Sequence, residues 1–175
     1  MSKPAIAVPN FATPAVDVER RDDGSMILTS PMPLEAYPSQ LGVSLRHWAE
    51  AVPERTFLAE REGGDWRRIG YAEARDAADR IAAALLRRGL GPDRPVMILS
   101  GNSIRHALLT LGAMQAGIPV APISPAYSLM SKDFAKVHHI LALVRPGLIY
   151  VESGGPFAPV LGALALDGIE LVVGA

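Results

Sequence analysis

The chain has 175 residues, 49% of them apolar and 20% charged, with a formal net charge of -1 and no cysteine. That length allows one domain with a sizeable core, and that balance is globular rather than disordered. Disulfides, thiolate metal sites and cysteine nucleophiles are excluded, and the near-neutral charge implies no basic face for nucleic acid.

No run approaches the roughly 20 apolar residues of a membrane span, so no membrane is expected as a partner. A disulfide-free chain fits the cytoplasm, the location expected here. The opening MSKPAIAVPNFATPAV is broken by prolines at 4, 9 and 14. A secretory signal needs an unbroken apolar stretch of about 7–15 residues. The segment reads as a soluble leader, partly disordered.

Val16 to Thr29 alternates around an Asp-Asp-Gly-Ser turn and predicts a β-hairpin, with Arg20 to Asp23 as its solvated tip. SPMPLEAYPSQ follows as a proline-rich arm. Leu41, Leu45, Trp48 and Val52 fall at helical spacing, with Trp48 expected in the core, and Pro53 ends that helix. Thr56 to Glu60 and Trp66 to Ile69 read as strands around Gly63–Gly64. From Tyr71 the period becomes helical: Ala74, Ala78, Ile81 and Leu85 share a face, Asp76 and Arg80 pair outside it, and Gly89 terminates the helix.

Strand and helix then alternate. PVMIL (95–99) is a short continuous apolar run, as in a strand buried on both faces. Asn102 or Ser103 can cap the next helix, which runs through Ala116 and should be largely buried. IPVAPI (118–123) is a second strand, placed at an edge by its prolines. Ser131 caps a helix carrying Phe134, Val137, Leu141 and Val144. LIYV (148–151) is a third strand, Pro156 to Leu166 a short helix, and IELVV (169–173) a fourth strand. The expected class is α/β: a mainly parallel sheet with right-handed crossovers and flanking helices, preceded by a small hairpin. Residues 1–40 form the leader, hairpin and arm; residues 41–175 form the α/β unit. The last strand runs almost to Ala175, so that unit is expected to be incomplete.

Ligands of open parallel sheets sit outside the carboxyl ends of the strands. Three polar loops qualify: Ser100 to Ser103, Ser124 to Ser128, and Glu152 to Gly155. Capping alone also selects Ser, Asn and Gly at such places, so ordinary strand-to-helix turns are the competing reading. The histidines at 47, 106, 138 and 139 show no metal-ligand spacing; His138 is expected semi-buried and His139 outward. There is no dinucleotide fingerprint, no P-loop and no nucleophile elbow.

Two blocks carry a family resemblance. Tyr71-Ala72-Glu73, opening the long helix, is similar to the first core motif of the adenylate-forming superfamily. Ala116-Gly117-Ile118-Pro119-Val120-Ala121-Pro122 is similar to its second. PMPLEAYPSQLGVSLRHWAEAVPERTFLAERE, RPVMILSGNSIRHALLTLGAMQAGIPVAPISPAYSLMSKDF and VDVERRDDGSMILTSP resemble, within it, the feruloyl-CoA synthases of aromatic acid catabolism. The resemblance implies the amino-terminal subdomain of an ATP-dependent acid–CoA ligase that uses Mg²⁺ and makes an acyl-adenylate before the thioester. The phosphate-gripping loop, later acidic motifs and lysine of that family find no match here. No catalytic residue carries over, and the 175-residue chain is expected to be inactive alone. ATP, Mg²⁺, CoA and the acid are expected to engage through a missing remainder, and none is expected to bind this piece tightly. Asn102, Ser124, Tyr127 and Ser128 are the candidate lining residues of the CoA and acyl side of the cleft. A fatty acid is an alternative substrate, and a stand-alone flavodoxin-like module is an alternative of another class. An uncovered apolar face and edge strand predict self-association.

Overall fold

The computed structural model describes residues 13–174; most of the expected leader, positions 1–12, lies outside them. The chain divides into two compact units, Met1–Tyr37 and Pro38–Ala175.

In the first unit, β1 (Asp17–Arg20) and β2 (Met26–Thr29) pair antiparallel, Asp17 opposite Thr29 and Arg20 opposite Met26. The Gly24 N–H donates to the Arg21 carbonyl, and Gly24 takes φ +83, a left-handed turn position that suits glycine. Asp23 accepts from the Ser25 backbone N–H at 2.9 Å. Hydrogen bonding from Ser25 holds its carboxyl below the usual carboxylate range. The expected hairpin is therefore present at its expected turn.

The second unit opens with α1 (Leu41–Ala51), followed by an antiparallel pair, β3 (Thr56–Glu62) and β4 (Asp65–Gly70). Gly63 and Gly64 both have positive φ, which a two-residue hairpin loop of this hand requires. Only Leu45 and Ala49 of α1 are buried. Trp48 is 43% exposed, lying edge-on to His47 and tilted against Tyr71. It is a rim residue rather than a core residue; the α1 side chain that packs with Ala74 and Ala78 is Leu45.

That neighbour, α2 (Tyr71–Arg87), buries Ala74, Ala78, Ala82 and Leu85. Its outer face differs from expectation: Asp76 binds the adjacent Arg75 at 2.7 Å and not Arg80. Such an exposed pair is worth little. The helix ends with the Gly89 N–H on the Leu86 carbonyl and the Leu90 N–H on the Leu85 carbonyl, a Schellman motif with Gly89 at φ +67. The same motif ends α3 (Ile104–Gln115), where Gly117 has φ +71 and Ile118 reaches back to Ala113.

The main sheet contains β5 (Val96–Leu99), β6 (Val120–Pro122), β7 (Leu148–Val151) and β8 (Glu170–Val173). All pairings are parallel, in the order β6-β5-β7-β8. Every residue of β5 and β7 is buried. Alternation sends Met97, Leu99, Ile149 and Val151 to one face, against Val137, Phe157 and Val160. It sends Val96, Ile98, Leu148 and Tyr150 to the other, against Leu85, Ala113 and Ile118. Each fully buried aliphatic side chain contributes about 1.5–3 kcal/mol. β6 lies at the edge, as its prolines require.

The remaining helices are α4 (Pro125–Leu129), α5 (Ala135–Val144) and α6 (Gly154–Ala163). α4 has no counterpart in the sequence reading, since five residues are too few to show a period. α3 is less buried than expected: only Ile104, Gly112 and Ala113 are fully covered. His138 is exposed, because the buried side of α5 centres on Val137.

Candidate functional site

The strand order puts β6 and β7 on opposite sides of β5. The chain leaves β5 toward α3 on one face and leaves β7 toward α6 on the other. The carboxyl ends of β5 and β7 therefore open a crevice at the point where the winding reverses, the usual ligand position in such sheets.

Ser103 begins the crevice wall. It is the N-cap of α3: its Oγ accepts from the His106 backbone N–H at 3.0 Å and donates to Glu152 Oε2 at 2.6 Å. Tyr150 OH donates to the same carboxylate oxygen at 3.1 Å. Burial, and then the charge and hydrogen bond of Glu152, push the Tyr150 hydroxyl up to about 12. On the other flank, Glu60 of β3 accepts the Ile104 backbone N–H at 2.8 Å and takes Arg67 at 3.2 Å. Two carboxylates, one from β3 and one from the residue after β7, thus meet the first turn of α3, where the helix dipole favours negative charge. The protein fills this anion position from within.

Ser100 and His106 lie behind that turn. Ser100 Oγ is 3.0 Å from His106 Nδ1 and donates to the Gly101 carbonyl at 2.8 Å. The Ser100 residue is only 3% exposed. A nucleophile must hand its proton to a base and reach substrate. This hydroxyl is buried and gives its proton to the backbone, so the pair braces the loop.

Glu60, Asn102, Ile104 and His106 line a cavity of about 300 Å³ beside the crevice. Among the predicted lining residues, Asn102 is exposed and faces this cavity, while Ser103 does the capping. Ser124 is exposed and precedes α4 without a side-chain cap bond. Tyr127 packs against the core face of α5 and α6, with Lys136 Nζ 4.6 Å from its ring centroid. It lines a second cavity of about 420 Å³ with Met130, Ser131 and Lys136. Ser128 is 4% exposed, and its Oγ has no hydrogen-bond partner. The structure therefore divides Asn102 from Tyr127 between two cavities.

Glu60 and Tyr150 escaped sequence reasoning. Glu60 sits in a hairpin that looked peripheral. Tyr150 sits in an apolar run, although its hydroxyl was a signal that a polar partner would be needed. Among the described residues, no group of three or more His, Asp and Glu side chains is arranged to hold a metal ion. With the α3 N-terminus already bonded to Glu60 and Ser103, these residues do not fit a nucleotide triphosphate with its Mg²⁺, and no step through ATP is derived from them.

A doubly wound parallel sheet with a polar switch-point crevice defines an α/β ligand-binding scaffold. Residues 45–168, more than half of the chain, match the family model described as AMP-binding enzyme, and the chain belongs to that family. It is 30% identical over 118 residues to a probable non-canonical nonribosomal peptide synthetase, CymA, of Salinispora arenicola, covering 67% of this chain and 1% of that protein. It is 28% identical over 87 residues to luciferin 4-monooxygenase of Photinus pyralis, covering 50% of this chain and 15% of that protein. A solved fatty acyl CoA synthetase of Mycobacterium tuberculosis superposes with a TM-score of 0.63 at 26% identity, covering 78% of this chain and 26% of that one. A fatty acid AMP ligase of Legionella pneumophila superposes at 0.62 with 19% identity, over 77% of this chain and 23% of that one, a likeness of fold. The chain thus spans a small part of the relatives it matches. A flavodoxin-like module would share much of this strand order; the family match decides between the two.

Proposed function

We propose that this chain forms the amino-terminal scaffold of an adenylate-forming acid–CoA ligase, acting on a hydroxycinnamate such as ferulate in the cytoplasm. The carrying observation is the family match over residues 45–168, which spans the whole switch-point crevice from β3 to the residues before β8. A carboxylate is a poor electrophile, and activating it as an acyl-adenylate supplies a leaving group that CoA thiol can displace. Developing phosphate charge in that step needs amide donors, a lysine and Mg²⁺. On this reading those groups come from outside these residues, and the chain alone is inactive. Its own contribution is a rigid wall: the Glu152–Ser103–Tyr150 network fixes the start of α3, and Asn102, Ser124, Tyr127 and Ser128 line the CoA and acyl side. Of these four, the second cavity supports Tyr127, which lines it, and the first supports Asn102.

The aromatic-acid assignment rests on the long stretches resembling feruloyl-CoA synthases. A fatty acid is the second reading, favoured by the 26% identity to the fatty acyl CoA synthetase. Thioester formation separates them. The chain is combined with the remaining polypeptide of a feruloyl-CoA synthase, or with that of a fatty acyl-CoA synthetase. Ferulate-dependent CoA consumption only in the first mixture is expected. Palmitate-dependent consumption only in the second favours the fatty acid. Self-association of the chain is proposed at the β8 edge, where Leu171 and Val173 are 38% and 46% exposed. Sedimentation of a single monomer across micromolar concentrations would contradict it.

A further inference from the structure

At the other end of the sheet, where the strands begin, lies a cavity of about 410 Å³ that the reaction proposed above does not use. Arg94 stands just before β5 and Arg145 just before β7, and both line it with Gly147, Asp167 and Gly168. Among the described residues neither guanidinium has a carboxylate within ion-pair distance. Arg94 makes only a long hydrogen bond, 3.5 Å, to the Gly89 carbonyl. The nearby Arg88, by contrast, is satisfied by Glu170 at 2.9 Å.

The backbone is arranged around these two side chains. Arg145 ends α5 at φ 47 and ψ 59, the left-handed region. Glycine or asparagine is the ordinary occupant of such a helix end, since a larger side chain is disfavoured there. Two residues on, a side chain at Gly147 would force its neighbours to shift. A Cβ there would lie 2.6 Å from Leu90 Cδ2 and 3.0 Å from both Cβ and Nε of Arg94. The Arg94 stem therefore lies across Gly147, and the chain retains strain to present a guanidinium at 145. Strained positions retained beside a cavity point to a ligand.

We propose that Arg94 and Arg145 bind a phosphate-bearing anion in this basin. Each guanidinium is a planar fork of donors matched to phosphate oxygens, and an anion of at least two charges can engage both forks at once. Asp167 lines the same basin and offsets part of the positive charge, which limits the affinity for any anion. The basin lies at the strand ends opposite the crevice, so occupancy does not obstruct an acyl substrate there.

The test is a titration of the 175-residue chain with inorganic pyrophosphate at low ionic strength, following the Gly147 and Gly168 amides by NMR. Saturable shifts at both amides are expected. Arg94→Gln and Arg145→Gln should each weaken binding tenfold or more, and Asp167→Asn should tighten it several-fold. Arg145→Gly should raise the melting temperature while weakening binding as the glutamine variant does, which separates a ligand role from a structural one. Lys132→Gln, outside the basin, should leave the affinity unchanged. Absence of saturable shifts, or an affinity unchanged from the parent in either arginine-to-glutamine variant, overturns the proposal.

Discussion

Glu152 is the residue on which the crevice turns. It receives hydroxyl bonds from Ser103 at 2.6 Å and Tyr150 at 3.1 Å, tying β7 to the first turn of α3. Glu152→Gln removes the charge that helps raise Tyr150, so the Tyr150 titration should move down from about 12 toward the ordinary tyrosine value of about 10, read by ultraviolet difference spectroscopy. A tyrosine raised in the fold keeps its neutral form more readily than in the unfolded chain. Its contribution is complete below pH 10 and is lost as pH rises from 10 toward 12. Denaturant midpoints across that range should fall in the parent and fall less in Glu152→Gln. Ser128 offers the opposite kind of test. Its hydroxyl is buried and unpartnered, a penalty of about 1–3 kcal/mol that Ser128→Ala removes. That variant should be at least as stable as the parent in urea. A loss above about 1 kcal/mol would mean that the hydroxyl has a partner worth a typical hydrogen bond.

The α2–α3 contact decides how the wall is held. A Cβ on Gly112 would come within 2.6 Å of Ile81 Cγ2 and 2.9 Å of the Ala78 carbonyl. Helix propensity favours alanine over glycine by about 1 kcal/mol, while overpacking costs about 1–3 kcal/mol. Packing wins here because one of the clashing atoms is backbone. Gly112→Ala should lower stability by about 1–2 kcal/mol; a stabilised variant would mean that the helices are farther apart. Element types were largely legible in the sequence. The buried runs VMIL and LIYV, the cap at Ser103 and the stops at Gly89 and Gly117 each have a local cause. The expected cap at Ser131 does not hold, because α5 starts after Phe134 and the Ser131 hydroxyl accepts the Phe134 N–H ahead of the helix. Burial was less legible. Trp48 and His138 ended exposed because side-chain burial depends on which neighbouring helix arrives, and periodicity does not carry that. The ring of bonds around Glu152 was invisible for a related reason. Glu60 lies in the β3–β4 pair and Glu152 just after β7 of the main sheet, far apart in sequence, and only the tertiary fold brings both to α3.

As a whole, the molecule pairs a sheet whose two central strands are wholly buried with a crevice whose helix terminus is already occupied by its own carboxylates. That combination suits a wall better than a phosphate grip, and the family match over residues 45–168 supplies the chemistry such a wall would serve. Among the described residues no helix is long and apolar enough to cross a membrane. The most direct measurement is ATP–pyrophosphate exchange with ferulate, using the purified chain alone and again after adding the remaining polypeptide of a feruloyl-CoA synthase. No exchange alone and clear exchange in the mixture is the predicted pair of results. Exchange by the isolated chain would show that it grips the nucleotide by itself and would contradict the proposed scaffold role.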